Sequence, residues 1–308
     1  MPAGGLTPRV HSHRFMKNIP VVVLESKAGL AEGPVWDSHR QQLWWVDIGG
    51  GSINRYDLRT SRNDTFPLHT RIGALTLTQG SDLLLATHHG FTRFDPQTGI
   101  LAKPISPADH DTAQLRFNDG KCDPAGRFLA GSTSLAGKNA TGSLYSFEDG
   151  GKIQTLLRGI ALSNGLTWSV NGRLFYYIDT LTHSIAAFPY DVETGRLGEG
   201  RTVISIPPRM GYPDGMTIDN DGMLWIALWG GGAVTRWDPR TGSLLEKHPL
   251  PVSQVTSCSF GGPKLDTLYI TTARADLSSD QLEKESLAGS IFSLRSDVGG
   301  AAPHRFQG

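Results

Sequence analysis

The sequence predicts an all-β chain closed into a six-bladed β-propeller of four-stranded antiparallel blades. Three observations carry that prediction. One unit recurs six times, marked by Gly33, Gly73, Gly120, Gly165, Gly215 and Ser257 at spacings of 40, 47, 45, 50 and 42. Each unit is built of short apolar runs separated by Gly, Asn and Asp turns, the pattern of strands and hairpins. No segment shows the longer 3.6-residue periodicity that a helical solenoid of similar period requires.

Taken in order, Val21-Val22-Val23-Leu24 is a lone β-branched run, expected to pair into the last blade and join the two ends of the ring. Unit one runs from Glu32 to Asp57 through Leu43-Trp44-Trp45-Val46-Asp47, and unit two from Gly73 to Asp95. Unit three holds Asn118-Asp119-Gly120 and closes on Leu144-Tyr145-Ser146-Phe147, and unit four runs from Asn164 to Tyr190. Unit five, Tyr212 to Asp238, is the fullest copy, and unit six ends on Ile291-Phe292-Ser293-Leu294. Within unit five, Asp219-Asn220-Asp221-Gly222 resembles a fragment of a calcium loop, but its register makes it a hairpin turn. Four third strands end in the same Asp-x-x-Thr turn, at Asp57, Asp95, Asp191 and Asp238. The inserts Lys103–Gln114, Ser134–Thr141 and Ala275–Leu287 are expected on the rims, the last with a short helix. Residues 1–18 read as a flexible tail and 19–308 as a single propeller domain. One blade cannot bury both faces, so stacked blades share their Trp, Leu, Ile and Phe positions as core.

Lys+Arg and Asp+Glu both number 29, so no net field would draw nucleic acid or an anionic membrane. Residues 1–18 lack the apolar core of a signal peptide, and no run of 18 apolar residues occurs. The two cysteines, Cys122 and Cys258, fall in opposite units, too far apart to bridge. Together these suggest a cytoplasmic protein.

First strands line the channel of a propeller, so the residue beginning each one faces its counterparts at one mouth. That ring reads Glu32, Ile72, Asn118-Asp119, Asn164, Asp214 and Thr256. Unit three carries one extra residue, so its mouth position is Asn118 or Asp119. An Asn or Asp before Gly is ordinary turn chemistry when met singly. The same register in four of six units instead gathers hard oxygen donors at one point. Converging carboxylates repel and are costly to bury, and a divalent cation relieves both effects.

Ala31-Glu32-Gly33-Pro34-Val35-Trp36, Arg116-Phe117-Asn118-Asp119-Gly120-Lys121, Ser163-Asn164-Gly165-Leu166 and Pro213-Asp214-Gly215-Met216 resemble the gluconolactonase / regucalcin (senescence marker protein) / luciferin-regenerating enzyme family. The resemblance runs from about Leu24 to Phe292. It implies a six-bladed propeller that hydrolyses a sugar lactone with one divalent metal ion, Ca, Zn, Mn or Mg. It implies Glu32, Asn164 and Asp214 as metal ligands, Asp214 also as general base, and Arg116 and Asn118 as substrate contacts. Asp119 is grouped with these contacts as added charge behind them. Some members place an acidic residue after the third blade's second strand. Here that stretch is Ser132-Thr133-Ser134-Leu135-Ala136, without a carboxylate, which leaves the ring size and hydroxyl pattern of the lactone open. The expected partner is a small-molecule lactone, and oligomeric state is not readable. A calcium-binding regulatory propeller without turnover, an esterase on a related propeller and a protein-interaction propeller stand as rival readings.

Overall fold

Six antiparallel sheets, wound from consecutive strands, follow one another round a ring. The computed structural model describes residues 19–137 and 140–308. The tail expected over 1–18 lies outside the described residues. Blade one comprises Ala31–Asp37, Gln42–Asp47, Ser52–Asp57 and Arg62–Pro67. Blade three comprises Leu115–Cys122, Phe128–Ser134, Gly142–Phe147 and Ile153–Ile160. Blades four and five repeat the plan from Ser163–Trp168 to Arg201–Ser205 and from Tyr212–Ile218 to Ser243–Pro249.

Blade two departs from it. Its outermost strand is split into two short pieces, Ile100–Leu101 and Ser106–Pro107, which pair with opposite ends of Gly90–Asp95. Pro104 and Pro107 lie in this stretch, and proline cannot sustain a continuous ladder. Blade six is completed as expected by Val21–Leu24, antiparallel to Ile291–Arg295 with Val22 opposite Phe292. The ring is therefore closed by main-chain hydrogen bonds between the two ends of the chain. The insert before Ile291 carries the short helix, Ser279–Lys284, capped reciprocally by Ser278 and Gln281.

The core is distributed. Among the described residues, six buried apolar clusters lie one at each boundary between blades. Trp36 stacks on Tyr269 across the blade six–blade one boundary, with ring centroids 5.5 Å apart. Alternating apolar residues on both faces of each sheet supply these clusters, so every blade depends on its two neighbours.

Every first strand carries a register shift where it enters the channel: Glu32/Val35, Ile72/Ala74, Phe117/Gly120, Asn164/Leu166, Pro213/Met216 and Val255/Ser257. A bulge of this kind bends the strand and re-aims a side chain. The glycine beside it serves close approach. A Cβ on Gly73 would stand 2.3 Å from the Phe117 carbonyl carbon, and one on Gly165 2.6 Å from the Asp214 oxygen.

Residues 297–307 were not legible as structure. They cross the far end of the channel from blade to blade. Gly299 O accepts from Asn220 N (2.8 Å), Arg305 reaches Asp37 Oδ1 (2.8 Å), Phe306 N donates to Leu77 O (2.8 Å) and Gln307 N to Gly126 O (3.0 Å). The channel is thus covered at the end opposite the ring of oxygen donors. Asp219-Asn220-Asp221-Gly222 is a hairpin turn, as expected: Asp219 Oδ1 accepts from Asp221 N (3.0 Å) and Met223 N (2.9 Å). Cys122 and Cys258 are free, buried and in different blades. Among the described residues no helix is long and apolar enough to cross a membrane.

Candidate metal and substrate site

A cavity of about 570 Å³ opens at the mouth where the first strands begin, and Glu32, Arg116, Asn118, Asn164, Thr180 and Asp214 line it. The chain folds this way locally because each of these strands bulges at its entry, which turns Glu32, Asn118, Asn164 and Asp214 into the cavity. Four of the six ring positions therefore meet in one space. Ile72 and Thr256 do not line it. Both are fully buried, and the Thr256 hydroxyl donates to Ala31 O and pairs with Thr271 Oγ1 (2.7 Å).

The bulge in blade three settles which of the adjacent pair faces the cavity. Asn118 lines it, whereas Asp119 does not. Asp119 is buried, and its Oδ1 accepts from Gly120 N at 2.7 Å. Lys121 is the counter-charge that favours its ionised form, and the Lys121 ammonium donates to Met216 O at 2.9 Å. Burial raises the pKa of Asp119 and lowers that of Lys121.

The amides are held in defined orientations. Asn118 Nδ2 donates to Ser163 O (2.8 Å) and to Asn164 Oδ1 (3.1 Å), and Asn118 Oδ1 accepts from Arg116 Nη1 (2.6 Å). Asn164 Nδ2 donates to Thr180 Oγ1 (2.9 Å), whose own proton goes to Pro213 O (2.8 Å). This leaves the second lone pair of Asn164 Oδ1 free. Thr180 was missed by sequence reasoning. It lies in a 3-10 turn, Thr180–Thr182, beyond the repeat's strands, and no spacing marks it.

The carboxylates are under electrostatic stress. Burial, with the Asp119 charge adding to it, pushes Glu32 up to about 8. Burial first, then the charges of Glu32 and Asp119, hold Asp214 well above the usual carboxylate range. Burial also lowers the pKa of the Arg116 guanidinium, against the pull of Glu32 and Asp214. Asp214 Oδ1 is buried and has no hydrogen-bond partner. An unpartnered buried carboxylate oxygen is costly, and a second buried acid, Glu32, lines the same cavity and repels it. These residues fit a hard divalent cation, which binds oxygen donors of this kind. Among the described residues no group of three or more His, Cys, Asp or Glu side chains is gathered to hold a metal ion. His88 and His89 follow the strand Leu83–Thr87 and do not line the cavity.

Residues 30–274 match the model of the SMP-30/Gluconolactonase/LRE-like region. The chain is 36% identical over 289 residues to a Bacillus subtilis protein named "Putative sugar lactone lactonase YvrE", covering 94% of this chain and 98% of that one. It is 35% identical over 287 residues to regucalcin of Gallus gallus, covering 91% and 95% of the two chains. A solved regucalcin from Agrobacterium tumefaciens, described as a calcium-binding protein, superposes with a TM-score of 0.90 at 28% identity, covering 94% and 98%.

Proposed function

Because the chain belongs to the SMP-30/Gluconolactonase/LRE-like family, we propose that it is a divalent-metal-dependent hydrolase of a sugar lactone, yielding the aldonic acid. One observation carries the reading. Glu32, Asn164 and Asp214, from blades one, four and five, share the floor of one cavity, and a buried oxygen of Asp214 lacks any partner. Glu32, Asn164 and Asp214 would hold the cation. Bound there, it supplies Lewis-acid polarisation of the lactone carbonyl and charge for the developing oxyanion.

The chain's own residues account for the rest. Hydrolysis adds water to the carbonyl carbon and breaks the ring acyl C–O bond. The attacking water must lose a proton, and Asp214, a carboxylate lining the cavity, would accept it and return it to the ring oxygen as the C–O bond breaks. Arg116, which donates to Asn118 Oδ1 and lines the cavity, would hold a carbonyl or hydroxyl oxygen through charge-assisted hydrogen bonds. Asn118 would orient the ring. Asp119, buried and outside the lining, would add negative charge behind the cation. The expected partner remains a small-molecule lactone rather than nucleic acid or membrane.

The test is a panel of pentono- and hexonolactones with a pH indicator, run with chelator and then with calcium, magnesium, manganese or zinc restored. Metal-dependent acid release supports the reading, and turnover unaffected by chelation defeats the metal. The similarity to a calcium-binding regucalcin favours a second reading, a propeller that binds calcium without turnover. Calcium affinity with no hydrolysis across the panel, simple aryl esters included, would select it.

A further inference from the structure

The cavity floor is polar, but one side of its rim is not. Leu135, Leu181 and Tyr212 stand on that rim with 38%, 46% and 43% of their surfaces exposed. They come from three blades. Leu135 follows the strand Phe128–Ser134, Leu181 belongs to the turn Thr180–Thr182, and Tyr212 opens the strand Tyr212–Ile218. Trp229, register partner of Tyr212, lines the same cavity. None of the four belongs to the six inter-blade clusters, so ring stability does not explain them.

An exposed leucine met singly needs no explanation. Several apolar side chains from separate blades gathered over one polar floor are different, because such a patch marks a surface that is covered in use. The floor offers hydrogen-bonding and charged groups to a lactone ring and its carbonyl. A ring bearing only hydroxyls would leave the rim wet.

We propose that the preferred substrate is a lactone whose polar ring sits on the floor and which carries an alkyl or aryl substituent packed on Leu135, Leu181, Tyr212 and Trp229. The proposal rests on the lactonase reading and shifts its preferred substrate from a lactone bearing only hydroxyls to one bearing an apolar substituent. The substituent lies away from the reacting carbonyl, so it is held equally in ground and transition states. Its effect therefore enters through KM and not kcat.

Kinetics on γ-lactones of one ring size with side chains of zero to six carbons test this. Each buried methylene should raise kcat/KM by about three- to fourfold, through KM. The double variant Leu135→Ser, Leu181→Ser should flatten that dependence. A flat or falling series in the wild-type protein overturns the proposal while leaving lactone hydrolysis intact. Binding of the matching non-hydrolysable lactams, followed by tryptophan fluorescence and calorimetry, decides the matter without turnover. If no lactone is hydrolysed with any metal, the lactonase reading fails. Lactam affinity rising with chain length would still support the rim, and uniform affinity would remove it.

Discussion

Asn118 and Asn164 are joined across the boundary between blades three and four, Nδ2 of the first donating to Oδ1 of the second at 3.1 Å. The bond fixes the flip of both amides, because Asn164 Nδ2 is already committed to Thr180 Oγ1 at 2.9 Å. Thr180 thus decides which end of the Asn164 amide turns towards Asn118. Thr180→Val keeps the shape and removes the acceptor. Metal affinity should fall by about 10- to 100-fold, as for other residues that orient ligands. Calorimetric titration with manganese or calcium measures it, and unchanged affinity would make Thr180 a packing residue only.

Asp214→Asn separates charge from shape. The amide keeps an oxygen but cannot accept the proton of an attacking water. Turnover should fall by about 10²- to 10⁴-fold, the range of general-base contributions. Asn164→Ala should abolish metal-dependent hydrolysis with little change in the circular dichroism spectrum. Near-wild-type rates in either variant would dismantle the proposed site.

Arg116 makes a contrasting case. It lines the cavity and binds Asn118, yet it is a cation and cannot ligate another. Arg116→Ala should lower kcat/KM by at least about tenfold, the loss of one charge-assisted hydrogen bond, while sparing metal affinity. A large loss of metal binding instead would show that Arg116 acts by holding Asn118 in place.

The repeat made the ring legible. Glu32, Asn164 and Asp214 sit beside equivalent glycines, so one register applied to six units placed them together. The Asn118-Asp119 ambiguity was a matter of one inserted residue, and only the bulge between Phe117 and Gly120 resolves which faces inward. Residues 297–307 could not be read. They bond to a succession of different blades, and such scattered bonds leave no period in the sequence. Leu135 and Leu181 were opaque for a related reason: they lie in turns after the strands, where the repeat exerts no constraint.

The stressed carboxylates predict a pH dependence with a definite sign. Glu32 is raised to about 8 from its usual 4.5, and Asp214 is raised as well. Between those limits these two acids hold more protons in the folded state than in the unfolded one, so their contribution to metal-free stability falls as pH rises from about 5 to 8, against the opposite contribution of His88, His110 and His304, whose pKa values burial lowers. Thermal melts in chelator should show the Tm of wild type falling relative to that of Glu32→Gln as pH rises across that window. Divalent cation should restore stability most at the alkaline end, and its binding at pH 7 should release protons, measurable by calorimetry in buffers of different ionisation enthalpy. A Tm difference between wild type and Glu32→Gln that does not change with pH in chelator would contradict the burial of this acid.

The spacing that brings the ring together depends on one close approach between blades five and six. Gly215 follows Asp214, and a Cβ there would stand 2.0 Å from Ser257 Oγ and 2.7 Å from its Cα. Blade five therefore approaches blade six more closely than any side chain allows. Gly215→Ala should cost about 1–3 kcal/mol as an overpacking change and displace Asp214 from the floor. Ser257→Gly removes the hydroxymethyl group, the nearer obstacle, and leaves the main chain of residue 257 in place. The double variant should therefore recover part of the stability and part of the metal affinity. Denaturant melts of the four proteins give the coupling energy directly. Strict additivity would mean that the two strands do not touch at this point, and that something other than the Gly215–Ser257 approach sets the position of Asp214.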